Sequence, residues 1–236
     1  MNKSVMAAVF AVGLAVVWWV AWGFVGASPL ALVMTGLIGG VYLLGAWELW
    51  QFRAATASLA TALRDTAQPP SDLAGWLERL APALRAPVRQ RIEGERAAFA
   101  GPALTPYLVG LLVMLGMLGT FLGMVVTFKG TVSAMEVSSS LESIRAALAD
   151  PIKGLGLAFG TSVAGVAASA MLGLLSALCR RERLDALRLL DARVATAFRP
   201  FSAAQRRDDT FAALQAQAQS MPLIAERLLT LMDGLE

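Results

Sequence analysis

Thr120, Thr161 and Ser162 are the side chains of this sequence best placed to do chemistry, because each sits deep in a long apolar run. In such a setting a hydroxyl must find a hydrogen-bonding partner, since leaving it dry and unpaired is costly. Counting back from Phe128, Thr120 lies roughly 12 Å into its run at 1.5 Å per residue. Counting forward from Ile152, Thr161 and Ser162 lie roughly 14 Å into theirs. If the two runs are antiparallel helices, the three hydroxyls share one level. The alternative is that each hydroxyl bonds the carbonyl four residues back on its own helix and does nothing else, a common arrangement in apolar helices.

The elements that position them are two spans rich in glycine. Leu104–Phe128 has no charge and carries Gly116, Gly119 and Gly123, with Gly119 and Gly123 one turn apart on one face. Ile152–Leu178 repeats the design with Gly154, Gly156, Gly160, Gly165 and Gly173. Glycine at helical spacing lets a second helix approach to backbone distance. The two spans are expected to pack on each other, with Gly116, Gly119, Gly123, Gly156, Gly160 and Gly165 as the packing positions.

Composition sets the solvent. The 236 residues are 57% hydrophobic and 16% charged, with a mean hydropathy of +0.62, which describes an integral membrane protein rather than a soluble domain. With no histidine and a single cysteine, Cys179, the chain has no His-based catalytic triad, no disulfide framework and no zinc-finger spacing. A soluble enzyme is a poor fit to these counts. A self-sufficient transporter also fits poorly, because no span carries a buried charge or a break of the kind that binds substrate.

Two further spans precede this pair. Val5–Ala27 follows Lys3 and contains Trp18, Trp19 and Trp22; at about 23 residues it exceeds the usual signal-peptide core and is expected to remain as a span. After Ser28-Pro29, Leu30 to Trp47 or Trp50 makes the second, with Glu48 at its exit. Tyr42, Trp47 and Trp50 fit either an interfacial aromatic belt or core packing. The expected segments are thus 1–50 with two spans, a helical segment 51–103, a third span 104–128, an outer segment 129–151, a fourth span 152–178 and a helical tail 179–236.

In the 51–103 segment the sequence predicts helix to about Ala67, a Pro69-Pro70 turn, a short helix capped by Ser71 or Asp72, and another from about Pro87 to Ala100. In the outer segment Ser139-Ser140-Leu141-Glu142 predicts a capping box opening one short helix, with the fourth span starting afresh at Pro151. The tail reads as helix with breaks near Pro200 and Pro222 and a further apolar set from Leu223 to Met232. It either packs on the 51–102 helices or begins a longer helical tail.

Of the 20 basic residues, seven lie in 51–102 and nine after 179, while the outer connections hold only Lys129 and Arg145. By the positive-inside rule both termini and the 51–102 segment are expected to face the cytoplasm. The same asymmetry accounts for the basic pI through anionic lipid rather than nucleic acid.

LGTFLG at Leu118–Gly123 and FGTSVAG at Phe159–Gly165, in a four-span chain with a cytoplasmic segment between spans two and three, resemble the third- and fourth-span motifs of the MotA/TolQ/ExbB proton-channel family. The four-span layout is similar to that of its flagellar stator members, and the helical tail to longer-tailed members such as the motor subunit of Zorya anti-phage defence. The chain differs in carrying Lys153, with Pro151 two residues earlier, where the family's fourth-span proline would align.

The resemblance implies an all-α polytopic fold assembled as a homopentameric ring. At its centre stand two copies of a single-span partner, similar to MotB or ExbD, each bringing a membrane aspartate. It implies no cofactor and an ion path by way of that aspartate and Thr120, Thr161 and Ser162, carrying H+ or, given the Thr161-Ser162 pair, Na+. The residues make the same demand. The third and fourth spans hold no acidic side chain, so a carrier carboxylate must arrive in trans. Burying it costs about 2.5–3.5 kcal/mol, which hydroxyl contacts offset. One charge crossing 100 mV yields about 2.3 kcal/mol, comparable to that cost. The rival from another class is a structural scaffold whose glycines only pack helices and whose basic tail recruits cytoplasmic proteins.

Overall fold

A computed structural model of the chain describes residues 3–26, 28–66, 70, 72–95, 97–136 and 141–203, together with 205, 207, 209–215, 217 and 218. The described residues form helices and no strand. The elements are α1 (Lys3–Gly23), α2 (Pro29–Asp65), α3 (Leu73–Glu78), α4 (Pro82–Ile92), α5 (Thr105–Glu136) and α6 (Leu141–Val194), followed by a 3-10 turn at Arg199–Phe201. Four of these, α1, α2, α5 and α6, are long and apolar enough to cross a membrane. The chain divides into two compact units, one of residues 1–54 and 100–184, the other of residues 55–99 and 185–236.

The helix ends follow local chemistry. The Ser28 hydroxyl accepts from the Ala31 N–H at 3.3 Å and Pro29 is the first residue of α2, where a missing N–H costs nothing. Asp72, rather than Ser71, caps α3, accepting from Ala74 and Gly75 N–H at 2.9 Å each. At the end of α4 Gly94 takes φ +87°, the Gly94 N–H bonds Arg91 C=O at 3.3 Å and the Glu95 N–H bonds Gln90 C=O at 2.9 Å. This is the Schellman pattern, which only a residue free of a Cβ adopts cheaply.

Three boundaries differ from the sequence expectation. α4 spans 82–92 instead of 87–100, because Pro82 serves as a helix start and Pro87 is carried inside. The fourth span does not begin at Pro151: α6 runs unbroken from Leu141 through Pro151 to Val194, 54 residues or roughly 81 Å. A proline removes one helix bond, a loss that long apolar helices with close neighbours tolerate. α5 likewise continues past Phe128 to Glu136, so the outer 129–151 segment is largely the ends of two long helices. Ser139 and Ser140 of the expected capping box, Pro222 and the 223–232 apolar set lie outside the described residues.

The first unit has a core of Val17, Met34, Ile38, Tyr42, Leu112, Ala168, Leu172 and their neighbours. Tyr42 is fully buried, stacked on Phe10 with ring centroids 5.7 Å apart, and donates to the Phe10 carbonyl at 3.1 Å. It is therefore core, whereas Trp47 and Trp50 are 59% and 68% exposed, as a lipid-facing belt requires. In the second unit Leu59, Leu63, Leu80, Val88, Ile92, Leu190 and Phe198 enclose Trp76. The Trp76 indole N–H donates to Thr66 Oγ1 at 2.8 Å and its ring meets Phe198 edge-on at 4.7 Å. Arg91 pairs with Asp191 at 2.8 Å, and that hydrogen bond and charge hold the guanidinium pKa above its ordinary value.

Candidate functional site

α5 and α6 meet through their smallest residues. A Cβ placed on Gly165 would lie 2.7 Å from both the Gly116 Cα and the Leu112 carbonyl oxygen. One on Gly119 would collide with Thr161 Oγ1, and one on Gly123 would lie 2.5 Å from the Gly154 carbonyl oxygen and 2.6 Å from the Ala158 nitrogen. Thr127 Oγ1 donates to Gly123 C=O at 2.9 Å and reaches Pro151 C=O on α6 at 3.4 Å. As numbers rise along α5 through 116, 119, 123 and 127, their partners on α6 fall through 165, 161, 158 and 154. The pair is antiparallel and in backbone contact over three turns.

The level of the hydroxyls follows from this register. Thr161 stands opposite Gly119, so Thr120 is within about one residue's rise, 1.5 Å, of the same level, and Ser162 adjoins Thr161. Their surroundings differ. Thr161 is fully buried under Gly119 and donates to Leu157 C=O at 2.7 Å. Thr120 is half-buried and donates to Met117 C=O at 2.5 Å; Ser162 is half-buried. Both threonine hydroxyls thus spend their proton on their own helix, and of the two only Thr120 leaves lone pairs open to an approaching group.

Rotation about the helix axes shows where an approach is open. At 100° per residue, Gly116, Gly123 and Thr127 form the line of contact on α5, with Thr120 about 40° to one side of Gly116. On α6, Gly154, Ala158, Thr161 and Gly165 form the line, with Ser162 about 80° from Gly154 in the same rotational sense. In an antiparallel pair the same sense on both helices is the same side of the seam. That side is uncovered: Met117 and Met124 on α5 and Leu155, Phe159 and Val166 on α6 are all exposed. The opposite side is core, with Leu112, Leu115, Leu157, Ala164 and Ala168 buried. Thr120 and Ser162 therefore edge one uncovered apolar face, with Thr161 sealed in the seam between them.

Two expected packing positions fall elsewhere. Gly160 is about 240° round from Gly154 and faces Phe24 and Val20, where a Cβ would lie 2.5 Å and 3.4 Å from their side chains. Gly156, about 200° round, meets nothing within 4 Å in the chain. Gly154 and Thr127 take the places expected of them, and both continue the small-residue spacing of three and four that was legible in the sequence.

Glu48 is the other site that spacing did not disclose. From α2 it accepts from the Leu104 N–H at 2.8 Å and the Thr105 hydroxyl at 2.6 Å, at the N-terminus of α5. A carboxylate there satisfies a free N–H and complements the helix dipole. It pins the start of the helix that carries Thr120, and only three-dimensional proximity reveals it, since 56 residues separate Glu48 from Leu104.

The described residues contain no cluster of His, Cys, Asp and Glu suited to a metal ion. What fold and site define together is an all-helical chain of membrane-protein character, built round a close antiparallel helix pair edged by hydroxyls. No family model matches the chain, and no match was found among curated proteins or among solved structures.

Proposed function

We propose that this chain is the ring subunit of an ion-driven inner-membrane motor, five copies of it surrounding two copies of a single-span partner with a membrane aspartate. The observation that carries the reading is the uncovered face edged by Thr120 and Ser162. It offers hydroxyl oxygens at one level of an apolar surface, while α5 up to Phe128 and α6 between Pro151 and Leu178 contain no carboxylate. A partner helix lying on that face brings the charge that this chain lacks, and the hydroxyls lower the cost of holding it in an apolar medium. Protonation, or Na+ binding, at the partner's aspartate then switches its affinity for successive ring positions.

Native mass spectrometry of the complex, expressed with its genomic neighbours, tests the architecture. Five copies with two of an aspartate-bearing single-span protein are expected, and flux assays on Thr120→Val then read the ion path. Abolished ion-driven flux in an intact assembly supports the motor; unchanged flux removes Thr120 from the path.

A second reading, a structural scaffold, draws on a specific observation: each threonine hydroxyl already donates to its own backbone. It predicts a chain that forms the same helix pair with no acidic partner and no ion flux.

A further inference from the structure

The first unit holds a second feature that neither reading uses. A groove of about 400 Å³ is lined by residues of α1 and α2, with Leu175 of α6 completing its lining. Its walls are apolar, with Met6 and Phe10 on α1 and Ala46, Trp47 and Trp50 on α2, and Arg53 at the end. Positions 43, 46, 50 and 53 form one stripe of α2, so the groove runs along the helix from aliphatic side chains past two tryptophans to a guanidinium. That sequence of chemistries repeats the profile of one leaflet: acyl chain, interface, phosphate.

The polar end is built. Arg53 donates through Nε to Glu182 Oε2 at 3.0 Å and through Nη2 to Oε1 at 3.4 Å, which fixes the plane of the guanidinium. Its Nη1 has no hydrogen bond among the described residues, so donors remain for a phosphate oxygen. The surrounding charge favours an anion. Within the first unit, residues 48–53 and 180–183 carry Arg53, Arg180, Arg181 and Arg183 against Glu48 and Glu182. Arg183 is buried over the Phe52 ring at 4.2 Å, leaving Arg180 and Arg181 as exposed neighbours along α6.

We propose that this α1–α2 groove binds one anionic phospholipid of the arginine-rich leaflet, with an acyl chain between Phe10 and Trp50 and the phosphate on Arg53. The site requires only that the chain lies in a membrane, and it stands whether the protein is a motor or a scaffold. Its volume suits a single chain of a lipid rather than a helix, and its charge selects the headgroup.

Native mass spectrometry of the full chain in mild detergent, given equal amounts of dioleoyl phosphatidylglycerol and dioleoyl phosphatidylcholine, tests the proposal. One phosphatidylglycerol per chain is expected, retained about fivefold or more over phosphatidylcholine, the ratio that one uncompensated interfacial arginine supplies. Arg180→Gln with Arg181→Gln, which removes the charge left over by Glu48 and Glu182, is expected to bring that ratio to about one, whereas Arg53→Gln with Glu182→Gln, which leaves no carboxylate unpaired and the net charge unchanged, lowers retention of both lipids, since both carry the phosphate. Ala46→Phe fills the groove and lowers retention of both lipids. Should it fail to fold, Ala7→Leu on the facing wall answers the same question.

Equal retention of the two lipids by the wild type would mean a non-selective lipid shell and overturn the proposal. So would a preference that survives Arg180→Gln with Arg181→Gln, or retention of both lipids that is unchanged in Arg53→Gln with Glu182→Gln. A groove-filling variant that leaves lipid retention unchanged but alters the number of copies would make the groove an interface between chains, and the proposal would fall.

Discussion

The two units solve the same packing problem with opposite materials. In the second unit large side chains interlock: Phe198 and Trp76 meet edge to face and the indole N–H finds Thr66. Burying such area from water is itself the driving force. In the first unit the decisive contact, α5 on α6, is made where side chains are missing, with Gly116 against Gly165 and Gly123 against Gly154 and Ala158. Lipid offers apolar side chains no less than a neighbouring helix does, so close backbone approach and polar contacts must hold the pair instead. The same chain is thus written in two packing languages, one in each unit.

The largest expected effect breaks the second unit alone. Phe198→Ala empties a fully buried aromatic site and should cost about 3–5 kcal/mol. Hydrogen exchange should then open the amides of α4, whose Val88 and Ile92 share that core, while those of residues 112–123 in α5 stay protected. Exchange that rises equally in both would show that the units do not differ in the way their packing implies.

The next effect inverts the rule for side-chain size. Gly123→Ala adds one methyl against backbone atoms that have no rotamer to yield, and should cost about 1–3 kcal/mol despite alanine's better helix propensity. Gly156→Ala meets open space and should be neutral or stabilise by up to about 1 kcal/mol in the isolated chain. Thermal unfolding in detergent reads both. If Gly156→Ala lowers the number of copies in the assembly instead, Gly156 packs against another chain. Glu48→Ala, which strips α5 of its cross-helix acceptor, should cost about 1 kcal/mol, the worth of a typical helix cap.

How much of this was legible in sequence depends on the range of the interaction. The four long apolar helices, the α5–α6 pairing and the level shared by Thr120 and Thr161 followed from local runs, glycine spacing and rise per residue. Gly160 is a packing glycine as expected but packs on α1, and Gly156 meets open space in the chain, because glycine was counted without angle: about 240° and 200° from Gly154, they cannot share its face. Gly154 was read as part of the fourth-span stripe but not as a seam position, and Thr127 was not singled out, because residues at the ends of a stripe look like their neighbours until the register is known. Proline at 151 read as a boundary, since local sequence shows the lost bond and not the packed helices that absorb it. Glu48 capping α5 and the α1–α2 groove depend on residues distant in sequence, where no periodicity speaks.

The smallest effect on stability bears most on function. Thr161 is sealed under Gly119 with its hydroxyl bonded to Leu157 C=O, so Thr161→Val exchanges one hydrogen bond for a methyl of similar shape. Hydrogen bonds of this kind in a bilayer are worth about 0.6 kcal/mol, so the variant should unfold close to wild type. In the motor reading ion-driven flux is nonetheless lost, because the level edged by Thr120 and Ser162 loses the hydroxyl dipole buried between them. Thr161→Ser, which keeps the hydroxyl and drops the methyl, separates the two roles. Flux restored by serine and absent in valine, at equal stability, assigns the oxygen to the path. Flux retained in valine confines Thr161 to packing, leaves Thr120 and Ser162 as the only hydroxyls open to a partner, and returns the seam to the rule that governs the rest of α5 and α6.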